Sequence, residues 1–495
     1  MCQQTARIRP SNPIPLRMTE HPSHSLAALT AQYGERYRWR VLMTVMIGSI
    51  ASVMSSTIVN VAVPDLMQHF QIGQERAQWV AAGFMTAMTL SMLPTPWLLA
   101  RYGYRHTYIG AVGLLVAGGI VGGLAQHFEL VLAMRAAEGL AAGVLQTIPS
   151  IIILRAFEDG TRGRATGIFA FGVVLAPAIG PSVGGVLVEH FGWRSIFFFV
   201  VPFGVWAMVL ARRYLPVSAP GGVAPGGRAV PLDLVGLLLV AVGVVSLLNG
   251  LVHLHDTSWH SAAVLLAVGV LAPGLFVWHE ARTAKPLLQM SLFRSRPFAM
   301  GSVVAFIYGM GLFGSTYLVP IFMQTALHFP PSQAGAVLLP AGLVLAATIP
   351  IGGRLADRYP PHLLLMFGLA LLAVSFALMT SVGPATVLWV LMLWAVVGRI
   401  GLGFVLPSLT LGAIPGLEPH AIPQAASGIG FARQLGGATG VSVVGVFLEW
   451  RLRTHAASGE PALSGFADTF WLVAALSAMA TLAAWRMRAP RSPAT

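Results

Sequence analysis

The stretch DLVGLLLVAVGVVSLLNGLV, residues 233–252, has one charged residue in 20 positions. An α-helix of about 20 apolar residues crosses the hydrocarbon core of a bilayer, which is about 30 Å thick. Blocks of similar length and composition follow one another along the chain. The same criterion predicts fourteen spans, at residues 39–62, 77–99, 107–126, 129–154, 163–188, 193–213, 233–252, 261–280, 297–321, 332–354, 361–381, 386–411, 425–448 and 467–487.

The composition excludes a soluble domain. Of the 495 residues, 56% are hydrophobic and 9% are charged, and the mean hydropathy is +0.75. Soluble domains carry about 25% charged residues, so this chain lacks the residues for a water-facing surface. The 54 glycines and 33 prolines suit membrane helices, because neighbouring helices satisfy the freed backbone groups. We predict an all-α integral membrane protein.

The net charge of +13 is spread over short runs between apolar blocks. A nucleic-acid-binding protein would cluster its basic residues on one face, so we predict no nucleic-acid partner. Alternate loops are rich in arginine, whereas loops 252–260, 322–331 and 382–386 contain no Lys or Arg. The positive-inside rule therefore places both termini in the cytoplasm, in a bacterial inner membrane. One outer loop, 449–466, departs from this pattern because it contains Arg451 and Arg453.

The chain contains an internal repeat. Three pairs of similar segments lie 257, 264 and 261 residues apart: 98–102 with 355–359, 135–139 with 399–403, and 165–168 with 426–429. Duplicated bundles of this kind build secondary transporters. The predicted domains are a cytoplasmic tail at 1–38, a six-helix bundle at 39–213, a Pro/Gly-rich linker at 214–232, a two-helix insertion at 233–280, a second six-helix bundle at 281–488 and a cytoplasmic tail at 489–495.

Several motifs resemble the 14-spanner drug:proton antiporters of the major facilitator superfamily, over roughly residues 40–450. The most specific stretch, ATGIFA…GPSVGG…WRSIF at 165–197, looks like the family's fifth-helix antiporter motif. The resemblance implies the major facilitator fold with fourteen transmembrane helices and alternating access between two bundles. The other motifs are TIVNVAVP at 57–64, RAAEGL at 135–140, YLVPIFMQ at 317–324, GGRLADR at 352–358 and FARQLGG at 431–437.

Two sets of residues are predicted to gate the transporter. In the fifth span, Gly172, Gly180 and Gly184 recur at intervals that place them on one helical face, which allows close helix packing, and Pro181 permits a bend. In the family, an acid in the loop after the second span pairs with basic residues and latches the inward side. Here the first copy has Ala100 in its place, and the second copy keeps Asp357. The basic residues beside these two positions are Arg101, Arg105, Arg354 and Arg358.

Charges inside spans are costly and mark functional sites. Arg135 and Glu138 lie three residues apart, on one helical face, and can pair. In the family, the arginine is thought to control proton release from a first-span acid, but here Ser55 stands at that position. We predict that Glu138 carries the coupling proton and that Arg135 tunes it. A structural ion pair that never titrates is the alternative.

Polar residues within apolar blocks are predicted to line a substrate cavity: Ser55, Asn60, Gln324, Arg399, Arg433 and Gln434. Bonding across helices is the alternative for these side chains. The three histidines of loop 252–260 match no metal-binding motif, and we predict no metal or other cofactor. No nucleotide-binding GxxxxGK[ST] run occurs, and no nucleophile–base constellation indicates an enzyme.

These patterns predict a monomeric secondary exporter of amphipathic or cationic drug-like compounds in exchange for protons. Its predicted partners are the small-molecule substrate, protons and membrane lipid, and docking of a periplasmic adaptor is left open. The first alternative is an exporter or importer of one specific metabolite, with different or no proton coupling. A transport-inactive membrane receptor or scaffold is the alternative from another class.

Overall fold

The computed structural model describes residues 26–158, 160–218, 231–255, 259–383, 386–414 and 416–488. The predicted linker and tails lie largely outside these residues. Apolar blocks form the helices predicted for them. The α-helices are α1 Leu26–Tyr33, α2 Tyr37–Ile58, α3 Val63–Phe70, α4 Gln74–Met92, α5 Thr95–Gly123, α6 Phe128–Ala156, α7 Arg162–Phe191, α8 Ser195–Tyr214, α9 Leu234–Val252, α10 Trp259–Glu280, α11 Arg296–Ile321, α12 Pro331–Ala356, α13 Pro361–Met379, α14 Leu388–Gly412, α15 Ile422–Ala457 and α16 Ala462–Trp485.

In the described part of the chain, fewer helices than the predicted fourteen are long and apolar enough to span a membrane. Among the described residues, eleven helical segments can cross a membrane, and α7 brings the count to twelve if its 40° bend is taken within one span. Helix α4 does not qualify, and the apolar part of α12, Pro340–Ala356, is shorter than a span. Fourteen spans therefore remain a prediction.

The loop predicted between the second and third spans is a kink within the bounds of α5, where two helical segments meet. Gly103 in α5 has a φ of +78°, where the helix kinks. Glycine adopts this backbone conformation without the steric cost that other residues meet. The second predicted span, 77–99, therefore comprises most of α4 and the beginning of α5, and the third begins after Gly103.

The internal repeat is visible in the packing. Helix α2 packs on α6, α7 and α8, and α6 packs on α4 and α5. The repeat maps these helices onto α11 and α12–α16, where α11 packs on α14, α15 and α16, and α14 packs on α12 and α13. Two halves of six helices each, α2 with α4–α8 and α11–α16, thus share one arrangement. They meet along α7 with α12 and along the repeat-related pair, α15 with α4.

The hairpin of α9 and α10 lies beside the two halves. Helix α9 contacts α4 in one half and α15 in the other. The carboxylate of Asp233 caps the beginning of α9 by accepting a hydrogen bond from the Gly236 amide, 2.9 Å away. It also lies 2.9 Å from His279 Nε2, at the end of α10. This carboxylate therefore joins the two feet of the hairpin.

Helix α15 explains the loop that departs from the charge pattern. It has 36 residues and so is about 54 Å long at 1.5 Å per residue, well beyond a hydrocarbon core of about 30 Å. Arg451 and Arg453 lie in its last turns, where Arg451 donates to Asp468 across 2.6 Å and Arg453 pairs with Glu449. Both arginines are therefore paired with carboxylates.

Candidate functional site

The Arg135–Glu138 pair lies inside the first half. Nη1 of Arg135 donates to Oε2 of Glu138 across 2.5 Å, and each side chain is 1% exposed. The Ser55 hydroxyl of α2 donates to the same carboxylate oxygen across 3.0 Å, and Nη1 of Arg135 lies 2.9 Å from that hydroxyl. The predicted pair therefore forms, and Ser55 joins it instead of lining the central cavity described below.

Neighbouring helices hold the pair tightly. The guanidinium of Arg135 lies over the Phe84 ring, 4.3 Å from its centre, and Nε donates to the Val80 carbonyl across 3.3 Å. Its Nη2 is buried without a hydrogen-bond partner among the described residues. A Cβ placed on Gly118 of α5 would lie 2.6 Å from Cγ of Glu138. Because the glycine leaves this space, the carboxylate fits between α5 and α6.

Helix α4 connects this pair to the other half. Gly139 of α6, next to Glu138, lies so close to α4 that a Cβ there would stand 2.3 Å from the Phe84 carbonyl oxygen. One residue further along α4, the Met85 sulfur accepts from Nε2 of Gln434 in α15, 3.3 Å away. The Ser427 hydroxyl of α15 donates to the carbonyl of Met92 across 2.5 Å. Helix α4 therefore contacts both α6 of its own half and α15 of the other half.

A central cavity of about 110 Å³ lies between the halves. Apolar side chains such as Met92, Phe169 and Leu312 form much of its lining. Arg433 is the charged residue among the lining residues that the structure describes. The polar residues of the lining are Gln146, Thr147, Ser150, Thr166, Tyr308, Thr410 and Arg433.

The other residues predicted for the cavity are dispersed. Arg399 of α14 lies near the Tyr308 phenol, as Arg433 does. Gln434 is buried against Met85, so it bonds across helices. Asn60, in a 3₁₀ turn after α2, and Gln324, in a π-helical turn after α11, are exposed and do not line the cavity. Tyr308 carries no sequence signal that would have identified it.

The two halves are joined at one end, which we call the basic end: the region where α6 and α12 finish and α7 begins. The carboxylate of Asp357 accepts hydrogen bonds from the backbone amides of Gly163 and Arg164, at 2.6 and 2.8 Å. Both amides belong to the first turn of α7, where N–H groups lack partners within the helix and the helix dipole favours negative charge. Asp357 therefore caps a helix of the opposite half. Arg354 and Arg358 beside it are exposed.

Close helix packing accompanies this contact. A Cβ on Gly353 of α12 would stand 2.3 Å from the Gly163 carbonyl oxygen. Arg155, at the end of α6, donates to the Pro419 carbonyl of the other half across 3.0 Å. These contacts join the two halves at the basic end, beside a cavity of about 590 Å³ that Asp357 and Pro419 also line.

The first copy of the loop motif makes different contacts. Arg105 donates to the Leu215 carbonyl across 2.6 Å, and Arg101 lies over the rings of Trp97 and Tyr102. The repeat places Gln424 of α15 where Gly163 stands in α7. The side-chain amide nitrogen of Gln424 donates to the Pro286 carbonyl across 3.2 Å, and its side-chain oxygen accepts from the backbone amide of Gln289 across 3.3 Å. With Ala100 in place of the acid, the first turn of α15 is held by the chain before α11.

The small-residue stripe of α7 faces α2 in its own half. A Cβ on Gly172 would lie 2.9 Å from the Met46 sulfur, and one on Gly180 would lie 2.6 Å from Oγ1 of Thr57. Gly184 lies equally close to Ile58. Helix α7 bends by 40° between Arg162–Pro177 and Ser182–Phe191, and Pro181 lies within that break. The stripe thus packs α7 on α2, while the beginning of α7 contacts α12.

Fold and contacts define a membrane transporter built from two repeated halves around a central cavity. The family model for the Major Facilitator Superfamily matches residues 45–441. The protein belongs to this superfamily. It is therefore a multi-pass transporter of small molecules, and not an enzyme.

Relatives with assigned roles carry names of resistance proteins. The chain is 29% identical to the tetracenomycin C resistance and export protein of Streptomyces glaucescens, over 87% of this chain and 80% of that protein. It is 26% identical to the lincomycin resistance protein LmrB of Listeria monocytogenes, over 81% and 85%. The multidrug resistance protein B homolog of Mycobacterium tuberculosis is 29% identical, over 85% and 78%.

Solved structures share the fold at low identity. The proton:xylose symporter XylE superimposes with a TM-score of 0.65 and 14% identity, over 92% of this chain and 96% of that one. The human organic anion transporter MFSD10 superimposes with a TM-score of 0.64 and 15% identity, over 90% and 99%. At this identity, the similarity shows a shared fold and not a shared substrate.

Proposed function

We propose that the protein exports amphipathic, drug-like compounds in exchange for protons, and that Glu138 carries the proton. The observation that supports this is the Arg135–Glu138 pair, a charged group enclosed within the first half. Charged groups at membrane depth mark proton and substrate pathways. The named roles of the resistance proteins support the export of drugs.

The coupling we propose runs through helix contacts. Glu138 is 1% exposed, so a proton can reach it only after the helices around it move. A neutral Glu138 would no longer balance the charge of Arg135, and the guanidinium would seek other acceptors. Because Gly139 fits closely against α4, this rearrangement would shift α4 against Gln434 and Ser427 of α15. Protonation on one side of the membrane would thereby favour one orientation of the halves.

The contacts at the basic end support the orientation that we propose. We place it, with both termini, in the cytoplasm of a bacterial inner membrane, as the distribution of arginines predicts. The contacts of Asp357 and Arg155 would then hold the cytoplasmic side shut. The central cavity of about 110 Å³ is smaller than the roughly 300–1,000 Å³ of drug-sized pockets. The halves must therefore separate to admit a substrate. We also propose that the working unit is a monomer.

The test is dye transport in proteoliposomes with an imposed pH gradient. We expect the wild type to accumulate dye, and Glu138→Gln to lose gradient-driven accumulation while it still binds dye. Glu129→Gln is the matched control, because Glu129 lies on the same helix but is 66% exposed. The dye panel includes an anionic, a neutral and a cationic compound. If Glu138→Gln accumulates dye as the wild type does, Glu138 is not the proton carrier.

The same transport experiment also tests the alternative function, the transport of one specific metabolite with different or no proton coupling. The first-span position that carries an acid in resembling antiporters is Ser55 here. A transporter of one specific metabolite, without proton coupling, would leave the whole dye panel unmoved by the pH gradient. That result in the wild type would exclude proton-driven drug export.

A further inference from the structure

Arg433 brings an unbalanced positive charge to the central cavity. It lies in α15 and lines the cavity with Tyr308 of α11. Among the lining residues that the structure describes, none is acidic. The cavity therefore differs from the Arg135–Glu138 site, where a carboxylate lies 2.5 Å from the guanidinium.

A second arginine adds to the same field. Arg399 of α14 and Arg433 both lie near enough to the Tyr308 phenol to interact with it electrostatically. Neither arginine forms an ion pair with a carboxylate in the part of the chain that the structure describes. Charges at membrane depth are expensive and face a cavity or a partner. The two arginines that interact with Tyr308 therefore have no carboxylate partner among the described residues.

We infer that the central cavity recognises amphipathic substrates by an anionic group, such as a carboxylate or sulfonate, bound to Arg433 and Tyr308. This inference rests on the proposed function and specifies its substrate class. A guanidinium offers paired N–H donors that match a carboxylate or sulfonate, and the phenol adds an O–H donor. Arg399, which does not line the cavity, adds its positive charge to the field at Tyr308.

The rest of the lining suits the body of such a compound. Met92, Phe169 and Leu312 offer apolar and aromatic surface, and methionine adapts to varied shapes. Uncharged donors and acceptors, such as Gln146 and Thr410, face the same space. A cationic compound would find the positive field of two arginines here and no carboxylate to offset it. The cavity therefore favours anionic over cationic amphipaths.

Two matched probes test the substrate charge directly. 8-Anilinonaphthalene-1-sulfonate and N-phenyl-1-naphthylamine share an aromatic body, and only the first carries a sulfonate. Their binding is measured by fluorescence on protein in lipid nanodiscs, with the signal of empty nanodiscs subtracted. We expect the wild type to bind the sulfonate more tightly than the neutral probe, and tetraphenylphosphonium to compete poorly with the sulfonate.

Variants then assign the binding to Arg433. We expect Arg433→Gln to weaken sulfonate binding about 10-fold or more and to leave the neutral probe nearly unchanged. Arg433→Lys should recover part of the loss, because it restores the charge without the paired donors. Tyr308→Phe should weaken the sulfonate alone, by a smaller factor. Arg453→Gln removes the same charge from an exposed position outside the cavity and should bind both probes as the wild type does.

The inference is overturned if the wild type binds the neutral probe or tetraphenylphosphonium as tightly as the sulfonate. It is also overturned if Arg433→Gln weakens both naphthyl probes equally, since a merely structural arginine would have that effect. Binding is measured without a pH gradient and with Glu138 intact. A failure of proton coupling in the Glu138→Gln experiment therefore leaves this result independent.

Discussion

Arg135 and Glu138 form an ion pair 2.5 Å long within a single helix, and Ser55 of another helix contacts both side chains. The pair is internal to one half of the transporter and does not line the central cavity. In the mechanism that we propose, proton binding and substrate binding would therefore occupy separate places, connected by α4.

Removal of one partner of the buried pair should cost more stability than removal of both. Arg135→Gln leaves the Glu138 carboxylate in a closed space with Ser55 as its remaining side-chain donor, which we expect to lower the free energy of unfolding by about 3–5 kcal/mol. The double variant Arg135→Gln/Glu138→Gln should regain much of this loss. Thermal unfolding of the detergent-purified protein, followed by tryptophan fluorescence, measures both.

The control for this prediction is Arg76→Gln. Arg76 of α4 pairs with Glu129 of α6, the helix that carries Arg135 and Glu138, but the Arg76 side chain is 56% exposed. We expect it to cost about 0–1 kcal/mol. A double variant no more stable than Arg135→Gln would contradict the idea of an uncompensated buried charge.

Asp357→Asn should open the basic end. The substitution removes the negative charge that faces the first turn of α7, a favourable interaction of roughly 0.3–1 kcal/mol, and leaves one acceptor oxygen for two amides. We expect the open population to increase. Spin labels on His106→Cys and Glu418→Cys, both exposed, report the distance between the halves in a Cys2→Ser background.

Glu158→Gln controls for the loss of an acid at this end, since Glu158 pairs with Arg38 in the same half and is 75% exposed. Its distance distribution should match that of the wild type. If Asp357→Asn also matches the wild type, its bonds to α7 do not hold the halves together.

Gly353→Ala should prevent α7 and α12 from closing fully. The new Cβ would stand 2.3 Å from the Gly163 carbonyl oxygen, so the helices must separate. Alanine favours a helix over glycine by about 1 kcal/mol, and a loss of closure would therefore come from the contact. The same spin-label pair should report a longer distance, together with reduced dye transport. Gly113→Ala, at a position with open space around it, should change neither measurement.

Asp233→Ala should loosen the feet of the hairpin. It removes both the cap on the Gly236 amide and the contact with His279, and loss of such a cap costs about 1 kcal/mol. Asp233→Asn keeps an oxygen that can accept from Gly236 and should lose less. Thermal unfolding compares the two variants. Equal losses would show that the charge, and not the cap, provides the stability.

Local patterns in the sequence predicted features that lie within one helix. The Arg135–Glu138 pair follows from three-residue spacing, and most apolar blocks became single helices, although the second predicted span, 77–99, covers parts of α4 and α5. The repeat offsets predicted two halves with the same packing, because homologous segments fold alike. The membrane-span count remains a prediction, since α4 is too polar to pass by composition.

Contacts between helices were harder to predict. Ser55 was placed in the cavity, but it meets the ion pair because α2 packs on α6. Asp357 was expected to pair with basic side chains, whereas it binds backbone amides of α7. Free amides occur at the beginning of every helix and leave no trace in side-chain patterns. Tyr308 acquires its place beside Arg433 only through the packing of α11 and α15.

The bond from Asp357 to main-chain amides has a consequence for how this transporter tolerates mutation. A contact between two side chains can be lost through a substitution at either position. The contact of Asp357 with α7 depends on a side chain in one half only. Arg164 supplies an N–H that every amino acid except proline also carries, so this hydrogen bond does not depend on the side chain at position 164. Gly163 is constrained separately, by its contact with Gly353. Substitutions at position 164 other than proline should therefore leave the hydrogen bonds from α7 to Asp357 in place.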